Sequence, residues 1–169
     1  YLYHRGRGYY LQLNLLSLDP LGLDYHDTVP ELQSSSTSDL TLAPFFGDSR
    51  AASWPAPEVN AFEFVNRGIG AQTSEQALLR FDHHVKSLHS EVIIVQVGIN
   101  DLKTIPLFPE RKESIISDCK GNIRQIVERS RDLGAVVVVS TIFPIGEVPI
   151  ERRPFWLDDV ALAIDEVNA

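Results

Sequence analysis

The chain has 169 residues, 44% of them apolar, enough for one domain with a real core. Its formal net charge of −8 argues against a phosphate-backbone partner, which is held by clustered Lys and Arg, so no nucleic-acid role is expected. The single cysteine, Cys119, rules out an internal disulfide or a cysteine-built zinc cage, and no apolar run reaches the ~20 residues of a membrane span.

In chain order, the first forty residues divide into YYLQLNLLSLDP, leucine-rich and helical up to Pro20, and the Ser/Thr-rich connector ELQSSSTSDL. No basic-then-apolar leader pattern opens them, and the compartment is left open. Neither part carries obvious chemistry, so residues 1–39 are set apart as an extension to a main unit spanning 40–169. From there LTLAPFF, AFEFVN, EVIIVQVG and GAVVVVSTIF read as four strands. Between the second and third, Leu78, Phe81, Val85 and Leu88 recur at helical spacing, and between the third and fourth so do Ile115, Cys119, Ile123, Ile126 and Ser130. Gly134 supplies a C-terminal stop. A last helix runs from about Phe155 to Asn168, with Trp156, Val160, Ile164 and Val167 inward.

Runs such as VIIV and VVVV, apolar on both faces, belong in a parallel sheet covered by helices on either side. The expected fold class is therefore α/β, a three-layer αβα sandwich with a mostly parallel sheet. A fifth strand should follow the last helix, because a sheet without it exposes an apolar edge. The chain opens at Tyr1, contains no methionine and stops at IDEVNA, and it reads as a fragment that ends before that strand.

In open parallel sheets, ligands bind beyond the carboxyl ends of the strands. Three such ends deliver small residues, backbone N–H groups and a short polar side chain: GDSR (47–50), NRGIGAQT (66–73) and GIND (98–101). Alone, Gly-Asp-Ser is the ordinary punctuation of a strand entering a turn. As an ordered set, each behind a strand, the three segments resemble blocks I, II and III of the SGNH/GDSL hydrolases over residues 40–169. The resemblance implies a flavodoxin-like SGNH fold and a serine esterase or acyl hydrolase working through an acyl-enzyme on a small-molecule ester.

It also implies roles. Ser49 is the nucleophile, and the oxyanion donors are the backbone N–H groups of Ser49 and Ala71 with the side-chain amide of Asn100. Ala71 falls where the family has glycine; its N–H survives the change provided the backbone keeps a negative φ. Arg50 stands where leucine is common. With Gly70 and Arg67 it is assigned to substrate contact, although Arg67 fits a surface position equally. Asp48 and Asp101 are read as structural hydrogen-bond acceptors at the site, and Cys119 as core. The scheme implies no cofactor and no metal. Oligomeric state is not legible.

A serine hydroxyl needs a base, which the family supplies from a late Asp-x-x-His segment that this chain lacks. The five histidines, His4, His26, His83, His84 and His89, all precede the third block. Eleven residues beyond Thr73, His84 lies ~16 Å down a helix axis, out of reach; it and His83 read as solvated or half-buried, and nothing recommends His4 or His26. Two explanations stay open: a chain cut before its catalytic loop, or a short form that binds acyl or carbohydrate ligands without turnover. A flavodoxin-like cofactor binder fits less well, because no glycine-rich phosphate cradle opens a helix. ERRPFW (151–156) lines the rim or caps the last helix.

Overall fold

The alternating segments assemble side by side in the computed structural model, which describes residues 2–26, 40–144, 146, 150 and 158–169. Four strands form one parallel sheet: β1 (Thr41–Gly47), β2 (Phe62–Gly68), β3 (Val92–Gln96) and β4 (Val136–Val139), in the order β2-β1-β3-β4. Among the described residues, six α-helices accompany them: α1 (Leu2–Leu18), α2 (Ser49–Ser53), α3 (Ser74–His84), α4 (Ile99–Leu102), α5 (Lys112–Asp132) and α6 (Asp158–Asn168). The expected α/β class, a parallel sheet with flanking helices, is the one observed.

Topology decides where a site can form. The chain leaves β1 towards β2 on one side and returns to β3 on the other, so a crevice opens at the carboxyl end of β1. Gly47 pairs with Gly68 on one side and Gln96 on the other, so these three strands end level.

The helical stripes bury as their spacing demands. Leu78, Phe81 and Val85 of the α3 region join Phe46, Ile93, Val95 and Ile126 in one cluster; Cys119 and Ile116 of α5 join Leu102, Val160 and Ile164 in another. Leu88, Ile115, Ile123 and Val167 are only partly buried. Thr73 starts α3 with a capping box, its hydroxyl accepting the Gln76 N–H while the Gln76 side chain takes the Thr73 N–H at 3.1 Å.

Two differences from the sequence reading stand out. β4 is paired on one side only, and Val136, Val138 and Val139 are 64%, 48% and 48% exposed, so helices do not cover both its faces among the described residues. The first helix begins at Leu2, well before YYLQ, and leaves Leu13, Leu15 and Leu18 more than half exposed. Among the described residues no helix is long and apolar enough to cross a membrane. Trp156 and the ERRPFW segment lie outside the described residues.

Candidate active site

Backbones crowd at the end of β1. A Cβ on Gly47 would stand 1.7 Å from the Gln96 carbonyl oxygen, and one on Gly68 would stand 2.1 Å from the Ala52 nitrogen, so only glycine lets β3 and α2 approach this closely. Asp48 then caps α2, its carboxylate accepting the Arg50 N–H at 2.9 Å, while its own N–H bonds Gln96 O at 3.1 Å. The Gly98 N–H reaches the same carboxylate. One buried acid thus fastens the end of β1 to the end of β3, and Ser49, the first residue of α2, is left exposed on the rim.

The loop after β2 folds over this rim. Ile69 donates its N–H to Gly47 O at 3.0 Å, and the Cβ position of Gly70 lies 3.9 Å from the Ser49 Cβ. Beyond it, Ala71 has φ +64°, in the left-handed region. The loop is also tied to the third strand end: Asn100, 4% exposed, gives one amide hydrogen to Gln72 O at 2.8 Å, and its Oδ1 accepts from Lys103 Nζ. Asp101 accepts the Ser74 N–H at 2.8 Å and the Ser74 hydroxyl at 2.6 Å, holding the start of α3 against the same end. The serine, the Gly70–Ala71 turn and the Asn100 amide therefore belong to one connected cluster.

Comparison with known families settles what kind of domain carries this cluster. Residues 35–169 match the family described as GDSL-like Lipase/Acylhydrolase. The chain belongs to this family. Solved GDSL-like structures share its fold. A GDSL-like lipase from Bacteroides thetaiotaomicron is 21% identical with a TM-score of 0.66, the match covering 88% of this chain and 70% of that one. A Bacteroides fragilis protein described as an acylhydrolase is 20% identical with a TM-score of 0.60, over 86% and 66%. An acetylxylan esterase from Geobacillus stearothermophilus is 18% identical with a TM-score of 0.52, over 75% and 71%. A search of curated protein sequences finds no match.

Within this GDSL-like domain the two acids at the site are inward and structural in their contacts. Burial raises the carboxyl of Asp48 above its usual range, opposed by the Arg50 N–H; burial likewise raises Asp101, opposed by the two Ser74 bonds. Burial pushes the Cys119 thiol up to about 12 and the side chain is fully enclosed, a core residue with no thiolate character.

Other expectations need correction. The negative φ asked of Ala71 is not what its backbone adopts. Arg67 is neither at the surface nor at the rim: it is 7% exposed and its guanidinium donates to His84 O and Asn66 O, because its position on β2 faces α3. Arg50 is half-buried, donating to Phe143 O at 3.3 Å with its guanidinium 5.1 Å from the Phe143 ring, so it braces the loop after β4. His84 is buried at 3% exposure, its Nδ1 facing Arg80 and its Nε2 facing Leu23 O. His26 packs edge-on against His84, with ring centroids 5.1 Å apart. Burial lowers His26 to about 3 and His84 to about 4, so both are neutral at physiological pH. His89 precedes β3 and sits at the amino edge of the sheet, opposite the serine. The side chain of His4 lies outside the described residues.

Sequence reasoning missed Gln72, Lys103 and Arg80. Lys103 had a signal, since it lies three residues past Asn100, the spacing of neighbours on a helical turn. Arg80 had a weaker one, at i+3 from Ala77 and i−4 from His84 on the inward side of α3. Gln72 had none, because its partners come from three distant parts of the chain.

Proposed function

We propose that the protein is a serine ester hydrolase acting on small-molecule esters through an acyl-enzyme on Ser49. The observation that carries this is the meeting of Ser49, the Gly70–Ala71 turn and the Asn100 amide at adjacent strand ends in a GDSL-like domain. Ser49 Oγ attacks the ester carbonyl carbon and its proton leaves to a base. The carbonyl oxygen, now negative, takes hydrogen bonds from the Ser49 and Ala71 N–H groups and from the Asn100 amide hydrogen that Gln72 O does not use. Lys103 strengthens that last donor, because a cation on Oδ1 draws electron density from the amide. Collapse expels the alcohol, which takes the proton; water then attacks the acyl-serine and restores the hydroxyl. Each well-placed donor is worth about 3 kcal/mol in a transition state of this type.

Among the described residues, no histidine is in contact with Ser49. His26, His83 and His84 cluster with one another, and His84 ends α3, the helix that starts at the site. Residues 1–169 by themselves are therefore expected to be catalytically silent, the base coming from an Asp-x-x-His segment of the intact protein. Among the solved neighbours, catalytic variants of the Geobacillus esterase replace a serine and a histidine, in keeping with such a pair. Acetylated carbohydrate esters, named for that neighbour, are the natural first substrates after aryl acetates.

The test is ester hydrolysis by the intact protein. Ser49→Ala should lower kcat by at least ~10³-fold; undiminished turnover refutes the nucleophile. The lack of a described histidine beside Ser49 also favours a second reading, a silent acyl- or carbohydrate-binding module. Calorimetric binding of an acetylated oligosaccharide with no turnover by the intact protein would select it.

A further inference from the structure

Arg80 is fully buried and has no carboxylate partner among the described residues, an expensive arrangement unless its hydrogen bonds are well used. Its donors go to the parts of the chain that bear the candidate site. Nη2 reaches Gly47 O at 2.7 Å, two residues before Ser49; Nη1 reaches Arg67 O at 3.0 Å at the end of β2; Nε reaches Oε1 of Gln72. The guanidinium also lies 4.4 Å from the Phe46 ring. Burial lowers its pKa to about 9, which leaves it a cation at neutral pH.

Gln72, 3% exposed, is where these supports converge. Its side-chain oxygen accepts from Arg80, its side-chain amide donates to Leu21 O at 2.7 Å, and its backbone carbonyl takes the Asn100 amide at 2.8 Å. Leu21 belongs to the segment after α1, which lies flat on the loop: a Cβ on Gly22 would stand 2.8 Å from Ile69 Cδ1. The same segment offers Pro20 O to Gln76 at 2.7 Å and Leu23 O to His84 at 3.1 Å. A residue next to a left-handed alanine needs such anchoring, because strained backbone persists only where its surroundings over-determine it.

We propose that Gln72 is a positioning residue, clamped by Arg80 from within the domain and by the Leu21 carbonyl of the N-terminal segment, that sets the Ala71 N–H and the Asn100 amide on a common acyl oxygen. This rests on the hydrolase reading of Ser49. It gives the N-terminal segment a role in the chemistry through a side chain that touches no substrate. A displacement of donors by about an ångström costs ~10²-fold in rate.

The experiment measures kcat and KM of the intact protein on p-nitrophenyl acetate, with circular dichroism of each variant. Gln72→Ala should lower kcat 10- to 100-fold with KM changed less than threefold. Gln72→Glu keeps the acceptor for Arg80 and loses the donor to Leu21 O; it should fold and lie between, with kcat down 3- to 10-fold. Gln76→Ala, which removes the bond to Pro20 O together with the Thr73 cap but leaves the Gln72 side chain all its partners, should lower thermal stability and lower kcat less than Gln72→Ala does, by under threefold. A folded Gln72→Ala with kcat within threefold of wild type overturns the proposal; if that variant does not fold, wild-type kcat in Gln72→Glu overturns it. Ser49→Ala, run in parallel, separates the two readings. Full turnover there removes the nucleophile, whereas its loss together with intact Gln72 variants removes only this inference.

Discussion

Replacing Ala71 with glycine should stabilise the protein. The residue holds φ +64° and is exposed, so its methyl group adds little burial while it bears the left-handed penalty. That penalty is ~1–2 kcal/mol for an L-residue. Glycine removes it but enlarges the freedom of the unfolded chain, which offsets ~0.4–1 kcal/mol. The net gain is ~0.5–1 kcal/mol, or about 1–4 °C in Tm for a domain of this size. Urea unfolding of both proteins, followed by circular dichroism, reads it as a rise in midpoint at constant m-value. A fall in midpoint would refute the reasoning, because it would mean that the methyl makes contacts worth more than the strain.

Gly68→Ala should act in the opposite direction: the new Cβ would fall 2.1 Å from the Ala52 nitrogen, forcing α2 and Ser49 away from β2, at ~3 kcal/mol or more by denaturant unfolding. Asp101→Ala should cost ~2–4 kcal/mol by the same assay, since it strips both Ser74 bonds from the start of α3. His84 should make stability fall in acid. Its folded pKa, about 4, is depressed from 6.5, so its contribution is complete above pH 6.5 and is lost as the pH drops through 4, at up to ~1.4 kcal/mol per pH unit. The raised carboxyls of Asp48 and Asp101 work with the opposite sign, their contribution being lost as pH rises through their folded values. Comparing wild type with His84→Gln isolates the histidine; an unchanged slope between pH 6.5 and 4 would contradict its assignment.

The sheet and the ordered strand ends were legible because their signals are local. Runs such as VIIV declare a parallel strand, Gly-Asp-Ser declares a turn, and Gly134 declares the end of a helix. What stayed hidden depends on long-range pairing between side chains and carbonyls. Gln72 looks like any loop glutamine until Leu21, Arg80 and Asn100 are brought around it, and Arg67 looks like a rim cation until its strand position turns it towards α3. The exposure of β4 was equally invisible, since VVVV announces burial on both faces while the described residues cover it incompletely. The Ala71 backbone was misjudged for a different reason. Alanine advertises negative φ, and here the anchors on either side of the turn override that preference.

The account stands most directly on where the acyl group goes. Intact protein quenched during turnover of an aryl acetate and mapped by peptide mass spectrometry should carry one acetyl group on Ser49, absent in Ser49→Ala along with the turnover. Hydrolysis that continues in that variant, or an acetyl group that maps to another residue, would contradict it.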